Sequence, residues 1–260
     1  MAIPANGYPR TAARSPRVQV VETTDSTNAD VVAAVAADPA GWPHLSALVT
    51  DDQRAGRGRL DRSWTAAPGT ALAVSVVVDA STVPLALRGW IPLAAGAAMT
   101  RAVRRQLHGH GGTAELKWPN DVLVEGGKIC GILAEAVPGT FDTVVVGAGI
   151  NTRMTRAELP VTTATSFAAM GADCDDDELL ADYLEHLDAT LSRLSSGDVE
   201  RVHRDIEELC ATVGREVTVS LPDGTSVQGR ASGLADDGRL VVESGTIRTT
   251  VSAGDVVHVR

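Results

Sequence analysis

The chain has 260 residues, of which 44% are hydrophobic and 22% are charged, a composition typical of a folded protein with one large domain and one small one. The formal net charge of -10 argues against a broad DNA- or RNA-binding surface. Three cysteines without metal-ligand spacing predict reduced thiols, a cytoplasmic location and no metal cage built by the protein alone. No apolar run approaches the about 20 residues of a membrane span, and we expect no signal peptide.

The beginning of the chain predicts a tail, a strand and a helix. The first 16 residues are rich in Pro, Gly, Ala and Arg, which predicts a flexible tail. Apolar and polar residues alternate over 17–23 as in a strand, and the Ala/Val-rich stretch 29–37 is typical of a helix. Ser26 or Thr27 would cap this helix. These hydroxyls either cap the helix only or also contact a ligand, because a helix N-terminus can do both.

An arginine-rich loop, which we call the arginine loop (residues 54–64), follows a predicted strand at 46–50. Its glycines allow close backbone approach, its arginine side chains suit carboxylate or phosphate, and its tryptophan offers a flat apolar face. The residues concerned are Gly56, Arg57, Gly58, Arg59, Arg62 and Trp64. Two interpretations stay open from this pattern alone: a solvated hairpin turn, or a binding site for a small anion.

The middle of the chain alternates strands with one long helix. Helical spacing runs from Leu85 to Leu107, and strands are predicted at 71–79, 128–137 and 141–150. Residues 115–124 are predicted to form a short strand, a proline turn and a second strand. Gly131 within an apolar strand suggests that another group approaches the backbone there. Lys128 lies at the start of that strand, where a lysine is either solvated or part of a site. Gly147 to Asn151 lacks the third glycine of a dinucleotide-binding motif.

The last part of the chain changes character. Two helices are predicted at 175–194 and 198–211, and short alternating strands separated by Asp-Gly turns follow from Val213. The pattern predicts a small all-β barrel over residues 213–260.

Several motifs stand in one order along the chain and together resemble the biotin–protein ligases. They are Asp25-Ser26-Thr27-Asn28, Gly56-Arg57-Gly58-Arg59 with Trp64, Lys117-Trp-Pro-Asn120-Asp121, Lys128, Gly131-Ile-Leu, Gly149-Ile-Asn151, Ala164-Thr165-Ser166 and Ala253 to His258. The resemblance covers nearly all of residues 17–260. It implies an α+β protein: a mixed-sheet catalytic domain of the biotin/lipoate ligase type over 17–212 and a C-terminal SH3-like β-barrel over 213–260. Only about 16 residues precede the first strand, too few for a helix-turn-helix unit, so we expect the ligase-only type without a DNA-binding domain.

The resemblance also implies a two-step reaction. Biotin and ATP, with Mg²⁺, give biotinyl-5′-AMP, and the biotinyl group then passes to a lysine in the biotin carboxyl carrier domain of an acyl-CoA or pyruvate carboxylase. The expected partners include neither DNA nor a membrane, and we expect a monomer or a weak homodimer. A lipoate or octanoate ligase is the nearest alternative, and a non-catalytic biotin sensor is a second one.

The resemblance assigns roles to particular residues, and the chemistry is consistent with them, because a site that joins a carboxylate to a triphosphate has to gather cations. The implied catalytic residues are Lys128, Arg57, Asp121 and Lys117. Biotin would contact Ser26, Thr27, Asn28, Gln53, Gly56, Arg57, Gly58, Arg59, Lys128 and Gly131. The nucleotide would contact Arg59, Arg62, Trp64, Asn120 and Asn151. No metal is expected to be held by the protein alone.

Two positions leave questions open. Asp121 could accept a proton, help to position the Mg²⁺ that accompanies ATP, or only support the turn after Pro119. Leu60 and Asp61 stand where many members of the resembling family carry a basic residue or glycine, and an acid there would weaken adenylate retention or loop ordering.

Overall fold

The structure is a computed structural model that describes residues 7–60 and 62–259. Its α-helices are α1 (Pro9–Ala12), α2 (Thr27–Ala37), α3 (Ile91–Gln106), α4 (Asp176–Ser196) and α5 (Val199–Glu207), with 3-10 turns at Leu85–Trp90 and Ala168–Met170. The strands of the first part are β1 (Val18–Val20), β2 (Ala47–Thr50), β3 (Gly56–Arg57), β4 (Ser63–Trp64), β5 (Ala71–Asp79), β6 (Ala114–Lys117), β7 (Asp121–Val124), β8 (Gly127–Ala136) and β9 (Thr143–Asn151). Those of the last part are β10 (Glu216–Ser220), β11 (Ser226–Leu234), β12 (Leu240–Ser244), β13 (Ile247–Val251) and β14 (Asp255–His258).

A seven-stranded mixed sheet forms the centre of the protein. Its strand order is β1-β2-β5-β9-β8-β7-β6, with β1 and β2 parallel and the other pairs antiparallel. Alternate residues of β5 face opposite sides: Val76 and Val78 belong to the large core that contains α3 and α4, whereas Val77 packs with Val31 and Val35 of α2. The sheet is therefore covered on both faces, which explains why β5 is apolar from Ala71 to Val78 except at Ser75.

The sheet, together with the packing of its helices, confirms the predicted α+β class with a mixed sheet. The N-cap prediction is also confirmed, since the Ser26 side chain accepts a hydrogen bond from the Ala29 N–H at the start of α2. Among the residues that the structure describes, no helix is both long enough and apolar enough to cross a membrane.

The C-terminal strands form an open sheet, not the closed barrel that was predicted. The order is β13-β12-β11-β10-β14, all antiparallel, and in the described part of the chain no ladder joins β13 to β14. The apolar residues of this sheet instead belong to the same core as those of the large domain. Trp90 and Trp118 also donate their ring N–H groups to the carbonyls of Asp236 and Gly238, in the turn between β11 and β12, at 2.7 and 3.1 Å. A sheet that buries its apolar face against a neighbour needs no closure to form a core.

The predicted tail needs a correction over its described part. Residues 1–6 lie outside the described residues. Residues 7–16 include α1, where Thr11 is fully buried. The Asp177 carboxylate on α4 accepts the backbone N–H groups of Arg10 and Thr11 at 2.9 and 2.8 Å and the Thr11 hydroxyl at 2.8 Å. This segment is therefore anchored to the large domain, because a buried carboxylate needs such donors.

Candidate functional site

One cavity brings together most of the residues that were predicted to form the site. It lies between the first turn of α2, the arginine loop, strands β8 and β9, the turn before β7 and the loop before β14. The predicted residues that line it are Ser26, Thr27, Asn28, Gln53, Arg57, Gly58, Arg59, Arg62, Trp64, Asn120, Asp121, Lys128 and Gly131. Arg57 and Lys128, far apart in sequence, therefore share one pocket.

Three predicted site residues do not line this cavity: Lys117, Gly56 and Asn151. The Asn151 amide donates to the Thr165 carbonyl at 2.9 Å, which ties β9 to the segment after it. Gly56 pairs with Trp64 in the β3–β4 hairpin. The charge of Lys117 acts on the C-terminal sheet, where it contributes, after burial, to a lowered pKa of His258. Asp61 lies outside the described residues.

The floor of the cavity is polar and closely hydrogen-bonded. The Gln53 side-chain oxygen accepts the backbone N–H and the hydroxyl of Thr27 at 2.8 and 3.0 Å. Ser75 on β5 lies beneath, with its hydroxyl 2.6 Å from Asn28 Oδ1 and 2.8 Å from Thr27 Oγ1. Ser75 was missed from the sequence, although it is the one hydroxyl in the otherwise apolar run 71–78. A polar residue at a fully buried strand position is a signal for such a network.

Each cation of the cavity already has an oxygen partner in the protein. Lys128 Nζ lies 2.5 Å from Asp121 Oδ1, and Arg57 lies 3.0 Å from Glu135. Arg62 pairs with Asp255, and its hydrogen bond is the main cause of a lowered pKa of that carboxyl.

Arg59 is the most deeply placed of these cations. It donates to Asn120 Oδ1 at 3.1 Å and approaches the Gly254 carbonyl at 3.5 Å, and burial lowers the pKa of its guanidinium. Glu135 and Asp255 were missed from the sequence because only the folded chain brings them to the arginine loop.

Two glycines leave room for side chains that shape the cavity. A Cβ atom at Gly131 would lie 3.1 Å from Lys128 Nζ, so the group that approaches the backbone at this glycine is the Lys128 side chain. A Cβ atom at Gly149 would lie 2.7 Å from Trp64 Cε2. This distance is too short for a contact between two carbon atoms, so the rigid ring would have to move. The Trp64 ring is thus seated against the backbone of β9, where it forms a flat wall of the cavity.

Carboxylates in the cavity are few and paired. Asp121 and Asp255 line it, and each is bound to a cation. No group of three or more His, Cys, Asp or Glu side chains within residues 7–60 and 62–259 is arranged to hold a metal ion. The donor set fits a Mg²⁺ ion that is carried by the phosphates of a nucleotide and that takes at most one carboxylate from the protein.

The central mixed sheet carries the cation-lined cavity, and a small antiparallel sheet follows it in the chain. Residues 20–151 match the family described as Biotin/lipoate A/B protein ligase family, and residues 212–259 match the Biotin protein ligase C terminal domain. The chain belongs to the biotin/lipoate A/B protein ligase family.

One curated relative and two solved structures show which members of this family the chain is similar to. The chain is 38% identical over 247 residues to the Biotin--[acetyl-CoA-carboxylase] ligase of Mycobacterium tuberculosis, covering 94% of this chain and 90% of the relative. The biotin protein ligase from Aquifex aeolicus in complex with biotin and ATP superposes with a TM-score of 0.76 at 25% identity, covering 94% of this chain and 99% of that one. The biotin protein ligase from Leishmania major in complex with biotinyl-5-AMP gives 0.62 at 25% identity, covering 92% and 99%.

Proposed function

We propose that this protein is an ATP-dependent biotin–protein ligase. It forms biotinyl-5′-AMP from biotin and ATP and then transfers biotin to a lysine of a biotin carboxyl carrier domain, the acceptor being an acyl-CoA or pyruvate carboxylase. The observation that carries the proposal is the shared cavity of Arg57 and Lys128 above the polar floor of Thr27, Asn28 and Gln53. The 38% identity to a biotin ligase over most of both chains supports it.

In the first step the biotin carboxylate oxygen attacks the α-phosphorus of ATP, an O–P bond forms, and pyrophosphate leaves. Both reactants are anions, so their approach is opposed by Coulomb repulsion. Lys128 and Arg57 now contact Asp121 and Glu135. In the proposed mechanism they exchange these carboxylates for oxygens of the biotin carboxylate and the α-phosphate. Once they contact the substrates, these cations face the negative charge that develops in the transition state. Bound Mg²⁺ would neutralise the phosphates and assist departure of pyrophosphate.

The remaining cavity residues fit the nucleotide. Arg59 and Arg62 supply guanidinium groups for phosphate oxygens, and Trp64 and Asn120 supply a flat wall and an amide. The adenylate is a mixed anhydride that water hydrolyses, so the arginine loop has to close over it. Gly58 lies in this loop, and its backbone nitrogen donates a hydrogen bond to the Arg62 carbonyl oxygen at 2.6 Å.

In the second step the acceptor lysine attacks the carbonyl carbon of the adenylate, and AMP leaves. The amine has to be neutral, and with a reference pKa of about 10.4 only about one in 2,500 is neutral at pH 7. The positive cavity lowers that pKa, and Asp121, which lies beside Lys128, receives or orients the proton.

The polar floor favours biotin over lipoate or octanoate. A ureido ring offers one carbonyl and two N–H groups that satisfy buried polar side chains. A dithiolane or alkyl chain would leave those side chains unpaired, at a cost of about 1–3 kcal/mol for each group.

The free cysteines at positions 130, 174 and 210 support a cytoplasmic location, which stays a prediction. The domain boundaries 17–212 and 213–260 also stay predictions.

A streptavidin blot tests the proposal. Purified protein, a carrier domain, biotin and MgATP are incubated together, with lipoate in place of biotin in one arm and no ATP in another. We expect a biotinylated carrier only when biotin and ATP are both present. Carrier that is lipoylated but not biotinylated would establish the alternative ligase. Biotin binding by calorimetry without any transfer or biotin-dependent ATP–pyrophosphate exchange would establish a sensor.

A further inference from the structure

A second space, with a volume of about 440 Å³, lies between the large domain and the C-terminal sheet. We call it the interdomain cleft. It adjoins the cavity, because four residues line both spaces: Arg59, Asn120, Ile132 and Leu133. The cavity and the interdomain cleft are therefore separated by single side chains.

The walls of the interdomain cleft are largely apolar and come from both domains. The large domain contributes the side chains of Ala86, Pro92, Leu93, Trp118, Pro119 and Ala134. The C-terminal sheet contributes the turn between β11 and β12, and Ser252. Ala86 and Ser252 are both exposed, so the cleft opens to solvent at these two residues.

Arg59 stands at the inner end of the cleft. Its guanidinium donates to Asn120 Oδ1 at 3.1 Å and approaches the Gly254 carbonyl at 3.5 Å. Asn120 lines both spaces and Gly254 lines the cavity, so these contacts hold Arg59 at the boundary. A group that reaches the inner end of the cleft is thus one side chain away from the cavity.

The second step places two opposing demands on access to the cavity. The adenylate has to be kept from water by a closed arginine loop, yet a lysine of another protein has to reach it. A groove beside the arginine loop, lined by Ala55, Leu60 and Ser63, would be obstructed when the loop closes. Apart from Arg59, the described walls of the interdomain cleft lie outside this loop, so the cleft stays open when the loop closes.

A lysine side chain fits the chemistry of the interdomain cleft. Its four methylene groups are apolar and pack against apolar walls, and the amine is carried at the tip. Burial among apolar side chains disfavours the ammonium form, and the positive charge of Arg59 at the inner end disfavours it further. Both effects favour the neutral amine, which is the form that attacks the adenylate.

We propose that the interdomain cleft is the route by which the acceptor lysine of the carrier domain reaches the cavity. This inference rests on the proposed function, because a carrier lysine is the second substrate only of a protein ligase. Since the route has one wall from each domain, narrowing it from either side should slow the second step and spare the first.

The test narrows the cleft from opposite walls with Ala86→Trp and Ser252→Trp. The donor is enzyme-bound biotinyl-5′-AMP and the acceptor is a biotin carboxyl carrier domain, in a single turnover. We expect transfer to fall about 10–100-fold in each variant, because a small displacement of the attacking group slows a reaction strongly. Biotin-dependent ATP–pyrophosphate exchange needs no carrier and should stay within about twofold of the wild type.

Two matched variants control for the added ring. Ala86→Ser keeps a small side chain in the cleft and should transfer biotin at the wild-type rate. Ala36→Trp adds the same ring to an exposed position of α2 that lines neither the cleft nor the cavity, and it should also transfer normally. A melting temperature for each variant identifies a folding defect.

A second measurement traps the route directly. A carrier domain whose acceptor lysine is replaced by cysteine is mixed, under mild oxidation, with the Ala86→Cys, Ser252→Cys and Ala36→Cys variants. We expect a disulfide-linked complex with the first two and none with the third. The wild-type protein, whose Cys130 and Cys210 are buried, provides the blank.

Normal transfer by both tryptophan variants would overturn the inference, would indicate entry beside the arginine loop, and would leave the ligase assignment intact. If a tryptophan variant fails to fold, disulfide formation decides, and its absence at both cleft positions would overturn the inference. A wild-type protein that shows neither biotin-dependent exchange nor transfer would instead overturn the proposed function.

Discussion

Lys128 Nζ lies 2.5 Å from Asp121 Oδ1, so the lysine at the centre of the cavity is neutralised by a carboxylate on the neighbouring strand. The two residues lie on β8 and β7, which pair in the central sheet. The pair places a cation suited to adenylate formation beside a carboxylate suited to biotin transfer. Replacing Lys128 and Asp121 separately should therefore affect different steps.

Lys128→Gln should lower kcat/KM for biotin-dependent ATP–pyrophosphate exchange by about 10²–10³-fold, because it removes a fixed cation from the point where the two anions meet. The side chain is 43% exposed, so the melting temperature should change little. Arg248→Gln, which removes an exposed charge from β13, is the control and should leave exchange unchanged. An exchange rate within threefold of the wild type would remove Lys128 from the first step.

Asp121→Asn should slow transfer from preformed biotinyl-5′-AMP to the carrier lysine by about a hundredfold, because the amide cannot take the amine proton. The measurement is single-turnover transfer followed by streptavidin blotting. Adenylate formation by the same variant serves as its internal control and should fall much less. A normal transfer rate would mean that Asp121 only holds Lys128 and the turn before β7.

The local sequence was sufficient to predict most helices and strands of the fold. The nearly continuous apolar run of β5 predicted its bounds, Ala71–Asp79, as observed, since a central strand buried on both faces is mostly apolar. Closure of the C-terminal sheet was not predictable in this way. Alternation along β13 and β14 indicates two strands but does not determine whether they pair, because the apolar face of the sheet can instead share a core with the large domain, as it does here.

The candidate site was predictable where its residues stand in local motifs, and less so elsewhere. Arg57, Lys128 and Asp121 belong to short segments whose chemistry is evident in isolation. Glu135 and Asp255 act through partners 78 and 193 residues away in sequence, so neither contact follows from the residues beside it. These ion pairs come from tertiary structure alone.

The arginine loop should be cut more slowly by trypsin when biotin and ATP are bound, because ligand contacts with Arg57, Arg59 and Arg62 would reduce the opening of the loop that cleavage requires. Mass spectrometry of the fragments reports the rate at each site. Cleavage at Arg248, on an edge strand of the C-terminal sheet, provides the reference rate and should not respond. Equal protection at all sites would indicate general stabilisation instead of loop closure.

The ion pair between Arg62 and Asp255 should give stability that depends on pH. Arg62 lowers the pKa of Asp255 in the folded protein, below its unfolded value of about 3.9. The stabilisation is therefore complete above the unfolded pKa and is lost as pH falls through the folded pKa. Both side chains are about half exposed, at 60% and 46%, so solvent screening limits the effect to under about 1 kcal/mol.

Urea unfolding from pH 8 to pH 3 measures this effect as the difference in unfolding free energy between the wild type and Asp255→Asn. We expect the difference to be constant from pH 8 to about pH 5 and to shrink below about pH 4, where the wild-type carboxyl takes up its proton. Because Arg62 is the main cause of the shift, the same substitution in an Arg62→Gln background should lose most of this pH dependence. If the dependence persists without Arg62, the shift in Asp255 comes from other charges of the cavity, and the contact between the arginine loop and the C-terminal sheet adds nothing to stability.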